Sequence, residues 1–143
     1  MLPHARVTLV EPMARRVEFL SECVATLGVR NAEVLRGRGE DLAGKLAADV
    51  VASRAVAPLD RLAGLSAGLA RSGGRVLAIK GATAPAELAR ARPALARLGV
   101  TDARLEEVRT PDGGVSATVV TFTVPAHRGG RQDRRASSPR RRG

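Results

Sequence analysis

Four short stretches carry residue types suited to gripping a ligand. Glu11 closes the apolar run Val7-Thr8-Leu9-Val10. A carboxylate at the end of a buried strand can accept hydrogen bonds from the two vicinal hydroxyls of a ribose. The plainer alternative is an acid that starts the next helix beside its positive end. Gly39 and Glu40 follow the next apolar run, where a backbone amide and a side chain could bracket the edge of an adenine. The same Gly-x-Gly-Glu string also arises by chance in a chain with 15 glycines. Arg54 directly follows Asp49-Val50-Val51-Ala52-Ser53 and precedes Ala55, Val56 and Ala57. A guanidinium there calls for an anionic or carbonyl partner: a cofactor carboxylate, an RNA phosphate, or a structural ion pair with Asp49 or Asp60. Lys80, followed by Gly81, is one of two lysines beside 22 arginines, a mild hint that a compact point charge is wanted.

The rest of the composition narrows the chemistry. His4 and His127 are the only histidines, which leaves little room for a His-based metal site or a Ser-His-Asp triad. Cys23 stands alone, so no disulfide forms within the chain, and its place on an apolar helix face suits core filling. No apolar run approaches the roughly 20 residues of a spanning helix. The 143 residues with 44% apolar content suit one domain. A monomeric, cytoplasmic protein without a membrane partner is expected.

The net charge of +10 is unevenly placed. Residues 127–143 hold Arg128, Arg131, Arg134, Arg135, Arg140, Arg141 and Arg142 against Asp133 alone. That segment carries +6 and leaves +4 for residues 1–126. With Gly129-Gly130, Ser137-Ser138 and Pro139 and no apolar periodicity, it reads as a disordered arm. Such arms bind phosphate backbones through counterion release. Two units follow: a body over 1–126 and a tail over 127–143.

The body must position the four stretches. Strands are expected at 6–11, 32–36, 49–53 and 75–80. Helices are expected from Pro12 to Leu27, with Pro12 at the first position, apolar residues recurring from Met13 and Gly28 just past the end, from Leu59 to Ala70, and from Pro85 to Leu98. Residues 37–41 read as a loop and Ser72-Gly73-Gly74 as a turn. Strands 101–109 and 116–124 flank Pro111-Asp112-Gly113-Gly114, which has hairpin chemistry. Short apolar strands alternating with helices make an α/β fold with a mostly parallel sheet. Ligands bind such sheets at the carboxyl ends of the strands, where Glu11, Gly39, Glu40, Arg54 and Lys80 all fall. The closing antiparallel hairpin sets this pattern apart from a plain dinucleotide-binding domain.

Taken together, "VTLVEPMARRVEFL", "VLRGRGEDL", "DVVASRAVAPLDRL" and "GGRVLAIKG" resemble the bacterial ribosomal RNA small subunit methyltransferase G family, also called glucose-inhibited division protein B. The likeness runs over residues 5–125, and the Arg- and Ala-heavy style is similar to actinobacterial members. It implies a Rossmann-like class I methyltransferase fold using S-adenosyl-L-methionine. The implied reaction moves a methyl group to N7 of a guanine in 16S ribosomal RNA of the small subunit. By matching position, Gly39 and Glu40 fall on the family's adenosine-contacting pair, Arg54 on its cofactor-site arginine, and Glu11 on its ribose acid. Lys80 falls on a Lys-Gly placed near RNA or cofactor. Guanine N7 is a nucleophile in the neutral base, so the resemblance assigns no catalytic base and rests on positioning.

The family's first strand and Gly-rich loop belong before Glu11, whereas Met1 stands ten residues upstream. That strand would run between those ending at Glu11 and Ser53, so two bare strand edges and weak or no cofactor binding by these residues alone are expected. Two other readings stay open. One is a non-catalytic basic RNA-binding fragment. The other is a nicotinamide-dependent oxidoreductase, since Glu11 would serve its ribose equally well; the closing hairpin, "SRAVAPL" and the lack of a Tyr proton donor weigh against it.

Overall fold

Runs of Val, Leu and Ala broken by Gly, Pro and charged residues fold into alternating strands and helices. The computed structural model describes residues 4–54 and 57–126, without the side chains of 115 and 116. The tail arginines lie outside the described residues, as do Ala55 and Val56.

The chain opens with β1 (Val7–Glu11) and α1 (Ala14–Thr26), followed by β2 (Ala32–Arg36) and the single turn α2 (Gly39–Leu42). β3 (Ala48–Arg54) leads to α3 (Leu59–Leu69), β4 (Ala70–Lys80) and α4 (Ala84–Arg97). β5 (Arg104–Arg109) and β6 (Val115–Thr123) form the closing hairpin. β1 pairs in parallel with β2, and β3 in parallel with β4. β6 lies between β4 and β5, antiparallel to both, so the order of the larger sheet is β3-β4-β6-β5. The two parallel pairs do not join. Among the described residues, β1 and β3 each end a sheet with an unpaired edge.

Local chemistry explains the boundaries. α1 ends where Gly28 takes φ 62 and donates its N–H to Ala25 O at 3.1 Å, while Val29 N–H reaches Val24 O at 3.1 Å. This left-handed closure satisfies carbonyls that the helix end leaves free. The start differs from expectation: α1 begins at Ala14, not at Pro12. The Glu11 carboxylate accepts the Met13 N–H at 2.9 Å, so Pro12 forms part of the entering turn. The expected turn at Ser72-Gly73-Gly74 instead lies inside β4, as an irregularity against Ala48 and Val50. Gly73 N–H donates to Val124 O at 2.9 Å and Val124 N–H to Gly74 O at 2.8 Å, which keeps both glycines in the sheet. A Cβ at Gly74 would stand 2.9 Å from two backbone oxygens, those of Ala48 and Arg71. Only glycine fits there. The hairpin closes through Thr110 N–H to Gly114 O at 2.8 Å, with Gly113 at φ 88.

The core sits in the second half of the chain. Leu59 and Leu62 of α3, Leu88 and Leu95 of α4, Val76 and Ala78 of β4, and Val120 and Phe122 of β6 form one buried cluster. Fully burying a Leu or Phe contributes about 1.5–3 kcal/mol. Among the described residues, every buried apolar side chain comes after Pro58. The β1-α1-β2 unit buries its apolar stripe only partly, and Phe19 and Leu27 of this unit are largely exposed. α2 ties the two halves together: Gly44 N–H donates to Gly68 O at 2.8 Å, and Gly39 packs against the Leu65 side chain.

Candidate active site at the strand ends

Glu11 is the last residue of β1 and opposes Arg36, the last residue of β2. Its carboxylate is mostly covered. One oxygen accepts the Met13 N–H, and the other lies 3.7 Å from Arg16 Nη1. An ionised carboxylate has about four acceptor positions, so lone pairs remain for a ligand hydroxyl. Glu11 therefore holds the turn into α1 and still offers acceptor capacity.

Gly39 and Glu40 form the first turn of α2, directly beyond β2. Gly39 has a packing reason as well as a ligand reason, because a Cβ there would come within 2.7 Å of Leu65 Cδ1. Glu40 reaches across to α3, where Oε1 lies 3.6 Å from Arg61 Nη2. Both partners are well exposed, so the pair is worth little and leaves Glu40 free to exchange partners. This contact brings the end of β2 close to the start of α3. The expected loop at 37–41 thus contains a helical turn that closes on the neighbouring helix.

Arg54 ends β3 and is exposed. The structural alternatives for it are not made. Asp49 pairs with Arg71 at 2.5 Å, and Asp60 accepts the Arg61 N–H at 3.0 Å. Among the described residues Arg54 has no ion-pair partner. Its neighbour Ser53 carries a buried hydroxyl with no hydrogen-bond partner among the described residues. A buried unpaired hydroxyl costs about 1–3 kcal/mol. A ligand able to bond it would remove that penalty, which fits a binding cleft at this strand end.

Lys80 departs from expectation. Its side chain is 8% exposed, and its ammonium donates to Ala57 O at 2.7 Å and to Glu87 Oε2 at 2.9 Å. Glu87 also accepts the Leu59 N–H at 3.3 Å and the Thr83 hydroxyl at 3.1 Å. The Lys80 hydrogen bond holds the Glu87 carboxyl below the usual carboxylate range, with Thr83 and Leu59 adding to the effect. An ammonium enclosed in this way does not present itself to an RNA phosphate. No signal in the sequence marked Glu87 as its partner, because the two lie on different elements. Arg38 was also missed. It caps α2 by its backbone, is exposed, and stands without an ion pair among the described residues.

A family model described as rRNA small subunit methyltransferase G matches residues 1–114. The chain belongs to that family. Curated relatives carrying the same name include proteins from Thermobifida fusca and Nocardioides sp. The first is 48% identical over 85% of this chain and 52% of its own length. The second is 43% identical over 99% of this chain and 63% of its own length. The chain thus spans roughly half to two thirds of the length of these two relatives. A solved S-adenosylmethionine-dependent O-methyltransferase from Thermotoga maritima superposes with a TM-score of 0.68 at 12% identity, over 90% of this chain and 53% of that one. An rRNA methylase from Streptococcus thermophilus gives 0.56 at 14% identity, over 84% of this chain and 74% of that one. At such identities these structures establish the fold, a Rossmann-like class I methyltransferase architecture. Glu11, Gly39, Glu40 and Arg54 stand at strand ends or one turn beyond them.

Proposed function

We propose that the chain forms the adenosine-binding side of an S-adenosyl-L-methionine-dependent enzyme that methylates N7 of a guanine in 16S ribosomal RNA. The observation carrying this reading is the place of Glu11, Gly39, Glu40, Ser53 and Arg54, each at the carboxyl end of a parallel strand or in the turn just beyond it, in a chain of this family. The orphaned Ser53 hydroxyl and the spare acceptor positions of Glu11 suit the polar groups of the cofactor. Glu11 would accept the ribose hydroxyls, Gly39 and Glu40 would border the adenine, and Arg54 would meet a carboxylate. When bound, the cofactor supplies an activated methyl group on a sulfonium.

The chain's own task is then to hold two reactants in line. Guanine N7 needs no deprotonation, so no side chain has to act as a general base. The site belongs to a body over 1–126, with the arginines of 127–143 acting as an accessory RNA arm. The small ribosomal subunit is the partner, the cytoplasm the location, and the monomer the working form.

Saturation-transfer NMR tests the cofactor reading, because it detects weak complexes. With S-adenosylmethionine added to the 143-residue chain, transfer is expected to the adenine and ribose protons, and Glu11→Ala should abolish the ribose part. No transfer to the wild-type chain, or undiminished ribose transfer to Glu11→Ala, would refute it. The basic tail favours RNA binding in its own right. Removing residues 127–143 should lower RNA affinity and flatten its salt dependence without changing cofactor transfer.

A further inference from the structure

Pro58, Leu59, Asp60, Glu87 and Arg90 line a cavity of about 300 Å³. It lies between the starts of two helices: α3 begins at Leu59 after β3 ends at Arg54, and α4 begins at Ala84 after β4 ends at Lys80. Both starts stand on the carboxyl-end side of paired parallel strands, where ligands bind sheets of this kind. The volume is at the lower end of the range for small-ligand sites. One wall is fixed by hydrogen bonds. The Glu87 carboxylate takes the Lys80 ammonium at 2.9 Å, the Thr83 hydroxyl at 3.1 Å and the Leu59 N–H at 3.3 Å, so its charge is answered from within the protein. The other two charged groups of the lining are not answered in this way. Asp60 accepts the Arg61 N–H beside it at 3.0 Å, while the Arg61 guanidinium turns to Glu40. Asp60 and Arg90 are both exposed, and neither has an ion-pair partner among the described residues.

We propose that this cavity receives the guanine to be methylated, with Asp60 reading its Watson–Crick edge and Arg90 holding the phosphate of the same nucleotide. This rests on the proposed function and names the part of the site that takes the substrate. Enzymes that modify a base take it out of its stack and read it by hydrogen bonds to that edge. Guanine presents two neighbouring donors there, N1–H and the N2 amino group, and a carboxylate offers two neighbouring acceptors. Adenine presents an acceptor at N1, which would set a lone pair against the Asp60 charge. Recognition at this edge also suits the reaction. An arginine fork on O6 and N7 would cover the atom to be methylated, whereas Asp60 leaves N7 free on the far side of the purine. Arg90 then has the phosphate as its charge-assisted partner.

Chemical-shift titration of the full chain with guanosine, inosine and adenosine monophosphates tests this. Guanosine monophosphate is expected to shift the Leu59, Asp60, Glu87 and Arg90 amides and to bind about fivefold or more tighter than adenosine monophosphate. Inosine monophosphate, which keeps N1–H and lacks the N2 amino group, should fall between them. Asp60→Asn keeps the size of the side chain and its fitness for a helix start, and should remove the preference for guanine. Arg90→Ala should weaken all of the monophosphates alike and leave the binding of free guanosine unchanged. The inference is overturned by absent shifts at the cavity amides, by equal affinity for the guanine and adenine nucleotides, or by an undiminished preference in Asp60→Asn. S-adenosylmethionine separates this inference from the cofactor reading. It is expected to shift Glu11 and Gly39 and to leave Asp60 and Arg90 unmoved. If it shifts these two and displaces guanosine monophosphate, the cavity belongs to the cofactor and the inference fails. If it binds nowhere, the cofactor reading fails, and the nucleotide titration still decides the cavity.

Discussion

Replacing Gly39 by alanine separates two roles that coincide at one position. An alanine Cβ would stand 2.7 Å from Leu65 Cδ1 and 3.2 Å from Leu65 Cγ. Carbon atoms in good contact stay about 3.5–4.0 Å apart, so the overlap is roughly an ångström. Leu65 is only half-buried, and its methyl end can rotate away. Pushing it off its rotamer costs about 0.5–1.5 kcal/mol, and shifting α2 against α3 places the total within the ~1–3 kcal/mol typical of overpacking. Alanine regains part of the ~1 kcal/mol by which glycine disfavours a helix, but Gly39 only opens a single turn. The net loss should be about 1 kcal/mol.

Urea unfolding of wild type, Gly39→Ala, Leu65→Ala and the double variant measures the clash as a coupling energy. About 1 kcal/mol of stability should return in the double, because removing the Leu65 methyls opens the space. Coupling inside the ~0.3–0.5 kcal/mol scatter of independent sites would refute the steric argument. Cofactor transfer in the same four proteins addresses the other role. If Gly39 also borders the adenine, the double variant regains stability but not cofactor binding. Recovery of both would reduce Gly39 to packing.

Three further outcomes are expected. Phe122→Ala, in a side chain 1% exposed at the centre of the one buried cluster, should cost about 3–5 kcal/mol, read as a large drop in the urea midpoint. Gly28→Ala puts a Cβ into open space at φ 62, so only backbone strain of about 1–2 kcal/mol is expected, visible as fraying of α1 by hydrogen exchange. Glu87 has its folded pKa below its unfolded value, so its contribution is present above the unfolded value near 4.5 and disappears as pH falls through the folded value. Stability against pH below about 5 should accordingly be flatter in Glu87→Gln, and an unchanged acid limb would contradict the Lys80 bond as its cause.

Local chemistry was legible in the sequence, and contacts across the fold were not. The apolar runs of β1 to β4, the Gly28 helix end and the Pro111–Gly114 turn all follow from neighbouring residue types, and the structure places them where expected. Ser72-Gly73-Gly74 misled because glycine signals both a turn and a crowded strand. The decision lay with Val124, some 50 residues away, whose backbone pairs with both glycines. Lys80 misled for the same kind of reason. An isolated lysine after a strand looks like a ligand-facing charge until Glu87 is brought beside it by the packing of α4. The separation of β1 from β3 was legible only through family resemblance, since nothing in either strand's own residues says which edge stays bare.

The arginines divide by position in a way that bears on the proposed RNA substrate. Near the amino ends of the strands, Arg6 pairs with Glu33, Arg71 with Asp49 and Arg104 with Glu106, while at the carboxyl-end side Arg16 pairs with Glu11, Arg61 with Glu40 and Arg109 with Glu107. At or just beyond the ends of β2 and β3, Arg36, Arg38 and Arg54 are exposed and have no ion-pair partner among the described residues. Exposed pairs contribute at most about 1 kcal/mol each to stability, so their main effect is to cancel local charge. That leaves these three guanidinium groups without an acid partner among the described residues on the carboxyl-end side. Clefts lined by one sign of charge raise the encounter rate with the opposite sign, and the effect weakens with salt. A phosphate chain would thus be drawn to the same side of the sheet as Glu11 and Gly39.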